Sequence, residues 1–178
     1  MTTTNPGSYL RLDDGRPAVR FERIYDHPVE KVWAFVTEPD ELAHWFPAPR
    51  ITLDLVPGGT ITFAGDPAVP DLRTTGRILA VDPPRHLSFT WGDDELRFDL
   101  APLDGGRTRF TLTDVLEARD AAARNAAGWD VCLAALDAFA EGRSFEGPHS
   151  GPTPQWEKLY AEYVAAGLPA GAAVPGKD

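Results

Sequence analysis

Between Ile51 and Leu112 the chain repeatedly alternates apolar and polar residues, then turns. Ile51, Leu53 and Leu55 alternate before Pro57-Gly58-Gly59 turns the chain, and Ile61 and Phe63 follow on a short strand. Residues 65–71 read as a loop and 72–82 as a longer strand closed by Pro83-Pro84. Leu87, Phe89 and Trp91 alternate up to the turn Gly92-Asp93-Asp94. Leu96, Phe98 and Leu100 then alternate with Glu95, Arg97 and Asp99. Asp104-Gly105-Gly106 is the best hairpin turn, with Phe110 and Leu112 on the returning strand. Consecutive strands on turns this short argue for an antiparallel sheet. One face of that sheet must be covered, and residues 119–141 are the segment large enough to do it. They hold no Pro and one Gly, Gly128. Trp129, Cys132, Leu133, Leu136, Phe139 and Ala140 share one helical stripe, and Gly142 is placed to end the helix.

The flanks follow the same logic. Val19, Phe21, Arg23 and Tyr25 alternate with Arg20, Glu22 and Ile24, so a strand precedes the meander. Asp26 or His27 is expected to cap a short helix over 28–37, and a second short helix over 39–45 ends at Trp45-Phe46-Pro47. Trp156, Leu159, Tyr160 and Tyr163 predict one further helix. The expected division is a flexible N-terminal arm over 1–18, a main domain over 19–142, a C-terminal extension with one helix over 143–166, and a disordered tail over 167–178.

Length and charge then narrow the function. A chain of 178 residues can bury a core without staples. With 17 basic and 27 acidic residues the net charge is −10, and the densest basic stretch, Arg107-Thr108-Arg109, is flanked by Asp104 and Asp114. Nucleic acid is therefore not an expected partner, nor is an anionic membrane. The only cysteine, Cys132, rules out an internal disulfide, and the N-terminal residues lack the pattern of a secretory signal. Both fit a cytoplasmic location.

Familiar catalytic patterns are missing. His27, His44, His86 and His149 show no metal-ligand spacing with one another or with a cysteine, so no metal or cofactor is expected. No G-x-S-x-G elbow occurs, and neither glycine pair carries the Lys-Ser/Thr of a phosphate loop. Asp93-Asp94-Glu95 reads as a solvated turn rather than a carboxylate pair. Cys132 reads as a small apolar core residue. The aromatic set is more informative. Phe63, Phe89, Trp91, Phe98, Phe110 and Trp129, with Cys132, Leu133 and Leu136 on the helix stripe, are the candidate lining of an apolar pocket. Alternation alone leaves open whether that space is hollow or filled. Trp33, Trp45 and Phe46 are assigned to packing of the short helices, and Arg73 and Arg97 to exposed positions.

These residues also carry a resemblance. Phe21-x-Arg23-x-Tyr25-x-x-Pro28-x-x-x-Val32-Trp33 and Thr37-x-Pro39-x-x-Leu42-x-x-Trp45-Phe46 come first. Gly58-Gly59-x-Ile61-x-Phe63 follows, then Gly76-x-Ile78-x-x-Val81-x-Pro83-Pro84-x-x-Leu87-x-Phe89-x-Trp91, and Gly128-Trp129-x-x-x-Leu133. In this order they resemble the family named after the activator of the ninety-kilodalton heat-shock-protein ATPase, within the START-like SRPBCC superfamily. The resemblance implies an α+β helix-grip fold: a curved antiparallel sheet wrapped around one long C-terminal helix, with two short helices after the first strand. It implies a scaffold shared by lipid carriers, polyketide cyclases, antibiotic-sequestering proteins and co-chaperones, so it selects no single activity. The expectation is non-catalytic binding of a small hydrophobic or aromatic ligand between sheet and helix. The alternatives are a cyclase- or hydrolase-like enzyme using the same cavity, or a co-chaperone. The last is weakened by the 18 residues ahead of the first expected strand, where the related eukaryotic co-chaperones carry a further domain. A homodimer is left open.

Overall fold

The computed structural model describes residues 3–66, 69–145 and 153–174. Nine strands form one curved antiparallel sheet: β1 (Thr3–Thr4), β2 (Ser8–Arg11), β3 (Pro17–Tyr25), β4 (Arg50–Leu53), β5 (Thr60–Ala64), β6 (Arg73–Asp82), β7 (His86–Trp91), β8 (Asp94–Leu103) and β9 (Arg107–Val115). The order is β1-β3-β9-β8-β7-β6-β5-β4, with β2 also paired to β3. Helices α1 (Val29–Thr37) and α2 (Pro39–Leu42) follow β3, and a 3-10 turn (Arg119–Ala121) leads into the long α3 (Ala122–Ala140). Helix α4 (Pro154–Ala165) packs on α3. The helix-grip architecture expected from the sequence is the one formed. No helix among the described residues is long and apolar enough to cross a membrane.

Alternation decides which side chains meet. On β9, Phe110, Leu112 and Asp114 share a face, and on β8 so do Asp94, Leu96, Phe98 and Leu100, because successive side chains point to opposite sides. Those residues line the concave side, whereas Arg97 and Glu95 pair with each other at 2.8 Å on the convex side. Between Ile78 and Ala80 the β6–β7 register shifts, a bulge of the kind that bends a strand. Gly92 leads the two-residue β7–β8 turn at φ +58°, a conformation that other residues rarely adopt.

Several boundaries differ from the sequence reading. The 1–18 arm is not loose throughout: Ser8–Arg11 pairs with Pro17–Arg20, and Thr3–Thr4 pairs with Arg23–Ile24. The arm docks because Gly7 leaves room for the Phe21 ring, where a Cβ would lie 2.4 Å from the ring. The 167–178 tail is ordered as far as residue 174. Ala123 N–H donates to the Pro169 carbonyl at 2.9 Å, and Leu168 and Val174 pack on the core. Residues 175–178 lie outside the described residues, as does His149. Helix α1 begins after Pro28, with no side-chain cap from Asp26 or His27. The second short helix stops at Leu42, and residues 43–49 run as turns and bends. Finally, α3 does not cover the concave face alone: α1, α2 and the 43–49 turn share it. Trp45 is fully buried there, against Phe98 at 5.9 Å and Phe110 at 6.4 Å, and its indole N–H donates to the Phe35 carbonyl at 2.9 Å.

Candidate functional site

The sheet brings the candidate lining together but divides it in two. Phe98 and Phe110 lie 5.5 Å apart beneath Trp45. Phe63 on β5, Trp91 on β7 and Trp129 on α3 gather around a different ring, that of Phe46. Its centroid lies 5.4 Å from Phe63, stacked, 5.1 Å from Trp91, edge-on, and 5.6 Å from Trp129. Phe89 bridges the two halves, 5.4 Å from Phe98 and 6.4 Å from Phe46. Leu133 and Leu136 are fully buried in the same core. Burial, with Asp66 adding its negative charge, pushes the Cys132 thiol up to about 12, so it is no nucleophile near neutral pH.

Phe46 answers the question that alternation left open. The gaps that it shares with Val36, Leu42, Ile51, Phe63 and Phe89 nowhere admit a water molecule. The space is filled, and its filling ring comes from the 43–49 turn rather than from a helix or strand. Sequence reasoning assigned Phe46 to the short helices. Once α2 ends early, the chain can carry that ring across to the sheet.

Polar groups close one end of this aromatic space. Asp114 is fully buried, and its Oδ2 accepts from the Trp129 indole N–H at 2.9 Å and from Asn125 Nδ2 at 3.0 Å. Asn125 Nδ2 also donates to Asp94 Oδ2 at 2.9 Å, and the Glu117 backbone N–H donates to Asp94 Oδ1 at 2.9 Å. Asp114 Oδ1 is buried with no hydrogen-bond partner. Burial first, and the neighbouring Asp94 carboxyl second, hold Asp114 well above the usual carboxylate range. Asn125 Nδ2, which donates to one oxygen of each, joins the two carboxyls. Asp114 thus has one buried oxygen that no group among the described residues satisfies. The sequence reading of Asp94 as part of a solvated turn is thereby corrected. β8 starts at Asp94 and β9 runs on to Val115, which brings the two carboxyls together at the inner rim. The parity Phe110, Leu112, Asp114 already carried this signal.

The histidines are otherwise engaged. His27 Nε2 lies 2.6 Å from the Ala140 carbonyl oxygen, His44 stacks on Phe139 at 4.2 Å, and His86 Nδ1 lies 2.7 Å from Asp99 on the convex side. Among the described residues no three His, Cys, Asp or Glu side chains form a group that could hold a metal. Arg73 is exposed at the start of β6.

Comparison with solved structures returns the same fold. CalU16 from Micromonospora echinospora is 22% identical over 93% of this chain and 95% of its own, with a TM-score of 0.66. The protein encoded by BPP1335 from Bordetella parapertussis is 25% identical over 100% of both chains, with a TM-score of 0.68. DynU16, a protein of the dynemicin biosynthetic locus, is 21% identical over 85% of this chain and 48% of its own, with a TM-score of 0.55. No curated protein matches significantly. The fold is of a kind that binds small ligands. The family model described as "Activator of Hsp90 ATPase homolog 1-like protein" matches residues 26–141, more than half of the sequence, and the chain belongs to that family.

Proposed function

We propose that this protein binds a small hydrophobic or aromatic ligand, without turning it over, in the space between the sheet and α3 that Phe46 now fills. The observation that carries this reading is the Phe46 ring itself, which occupies an aromatic chamber from a segment of turns and bends. A turn exchanges conformations at lower cost than a helix locked by its own hydrogen bonds. A ligand ring replacing Phe46 inherits ready-made aromatic partners in Phe63, Trp91 and Trp129, with offset or edge-on geometry already in place.

One observation favours a second reading. Asp114 is a buried carboxyl beside the chamber that burial holds well above the usual carboxylate range, and such a group can act as a general acid in the cyclase or hydrolase class. Against it stands the lack of a nucleophile, since the Cys132 thiol is held protonated.

Cys132 tests the binding reading because it is the only thiol. The folded protein is expected to react slowly with a charged alkylating reagent and faster with a small apolar one. A bound multi-ring aromatic is expected to slow the apolar reagent further and to change tryptophan emission. If no member of a diverse aromatic library protects the thiol or moves the emission, in either the wild type or Phe46→Ala, the binding reading fails.

A further inference from the structure

Two pairs of carboxylates, each with one buried and one part-buried member, flank α3, and among the described residues only one pair has a cation. Asp130 and Asp137, farther along the helix, face the fully buried Arg23, whose Nε lies 3.1 Å from Asp137 and whose Nη2 lies 3.8 Å from Asp130. Asp94 and Asp114, at the chamber end, have no ion-pair partner among the described residues. Their bonds come from neutral donors: Asn125, Trp129 and a backbone N–H. The nearest cation in the hydrogen-bond chain, Arg124, donates instead to Asn125 Oδ1 at 3.0 Å and to the Ala173 carbonyl at 2.8 Å. Glu95, next in sequence to Asp94, is held on the convex side by Arg16 at 3.0 Å and Arg97 at 2.8 Å.

From this arrangement we infer that the ligand is an aromatic cation, an aryl group carrying a protonated amine, whose N–H groups bond the unpaired Asp114 Oδ1 and the Asp94 carboxyl joined to it through Asn125. The inference rests on the binding reading above and adds the ligand's charge to it. Asp114 Oδ1 supplies an unused acceptor at the end of the chamber, and Trp91 and Trp129 supply electron-rich faces beside it. A cation satisfies both carboxylates at once, as Arg23 does at the other end of the helix. A neutral ligand satisfies at most the open acceptor, and an anion meets two carboxyls in a chain of net charge −10. Burial favours the protonated form of Asp114 and an ammonium beside it favours the ionised form, so entry of the ammonium releases a proton to solvent.

Calorimetric titration with naphthylmethylamine, naphthylmethanol and naphthoate tests this, because the three share one ring system and differ in charge. The amine is expected to bind at least about tenfold more tightly than the alcohol, the advantage of a charge-assisted over a neutral hydrogen bond, and the carboxylate least tightly. Repeating the amine titration in buffers of different ionisation enthalpy is expected to show proton release. The amine preference is expected to shrink in Asp114→Asn and, should that variant fold poorly, in the rim variant Asp94→Asn. Equal binding of amine and alcohol, or an undiminished preference in both variants, overturns the inference while leaving the binding reading standing. No binding of any of the three, to wild type or to Phe46→Ala, removes both.

Discussion

The two ends of α3 solve the same problem differently. Near its C-terminal end, Asp137 accepts from Arg23 Nε at 3.1 Å and from the Tyr25 hydroxyl at 2.8 Å, while Asp130 accepts from the Tyr163 hydroxyl at 2.5 Å. The Gly7 N–H donates to that same hydroxyl at 2.8 Å, so the N-terminal arm, β3, α3 and α4 are tied into one network. Near its N-terminal end, Asp114 and Asp94 receive only neutral donors, and one oxygen is left over. Burial raises Asp114, Asp130 and Asp137, but Asp114 stands well above the usual range, whereas the Tyr163 hydroxyl and then Arg23 oppose burial at Asp130, and Arg23 opposes it at Asp137. A buried network whose charges are matched does structural work. A buried carboxyl with no cation beside it is costly and is kept where something else uses it.

The largest effect expected from breaking this contrast is at Arg23. Arg23→Ala leaves the buried Asp137 and the part-buried Asp130 without their cation, and loss of one partner of a buried pair costs about 3–5 kcal/mol. Chemical denaturation is expected to show that loss, with aromatic-ligand affinity in the remaining folded protein little changed. A loss below about 1 kcal/mol, the level of a surface pair, would show that the network is not structural. Trp45→Ala is expected to cost a comparable amount, about 3–5 kcal/mol, because the ring is fully buried between α1 and the sheet. An unchanged melting curve would contradict its placement. Tyr163→Phe keeps the ring and removes only the hydroxyl that joins Asp130 to Gly7, so about 1–3 kcal/mol is expected, with the N-terminal arm exchanging amide hydrogens faster.

Much of this contrast was legible in the chain, and the reason for the remainder is physical. Alternation over Phe110 and Leu112, and over Leu96 and Phe98, fixed which face of the sheet is apolar, because one face must be buried. The hairpin at Asp104-Gly105-Gly106 fixed the neighbours β8 and β9. What periodicity could not say is where Phe46 goes. A ring on a turn is free of both the helical and the strand repeat, so its partners are known only in three dimensions. Asp94 was misread for a related reason: turn composition looks solvated, while the pairing of Asp94 with Trp91 puts it on the strand. Arg23 was visible as an inward-facing position of β3, but its partners Asp130 and Asp137 lie more than a hundred residues away. The docked tail around Pro169 and Ala172 left no periodic trace because it forms neither helix nor strand.

The smallest predicted effect is on the pH dependence of stability. Asp114 has a folded-state pKa above its unfolded value of 3.8. Its protonated form therefore stabilises the fold fully below that unfolded value, and the contribution is lost as pH rises through the folded one. Asp114→Asn is neutral at every pH and keeps an amide oxygen for Trp129. Its melting temperature relative to the wild type is expected to rise steadily from acid towards neutral pH, by no more than about 1.4 kcal/mol of stability per pH unit. Parallel melting curves across that range would mean that Asp114 holds no unusual proton.

The most direct measurement of the contrast is a carbon NMR titration of the aspartate carboxyls, with Asp114 assigned by comparison with Asp114→Asn. Asp114 is expected to stay protonated well beyond the usual carboxylate range in the free protein, and to ionise when naphthylmethylamine is added at constant pH. Asp137, already paired with Arg23, is expected not to respond to the amine. An Asp114 that titrates like an exposed carboxylate and ignores the amine would contradict the account at both of its points, the effect of burial on Asp114 and the open acceptor at its Oδ1.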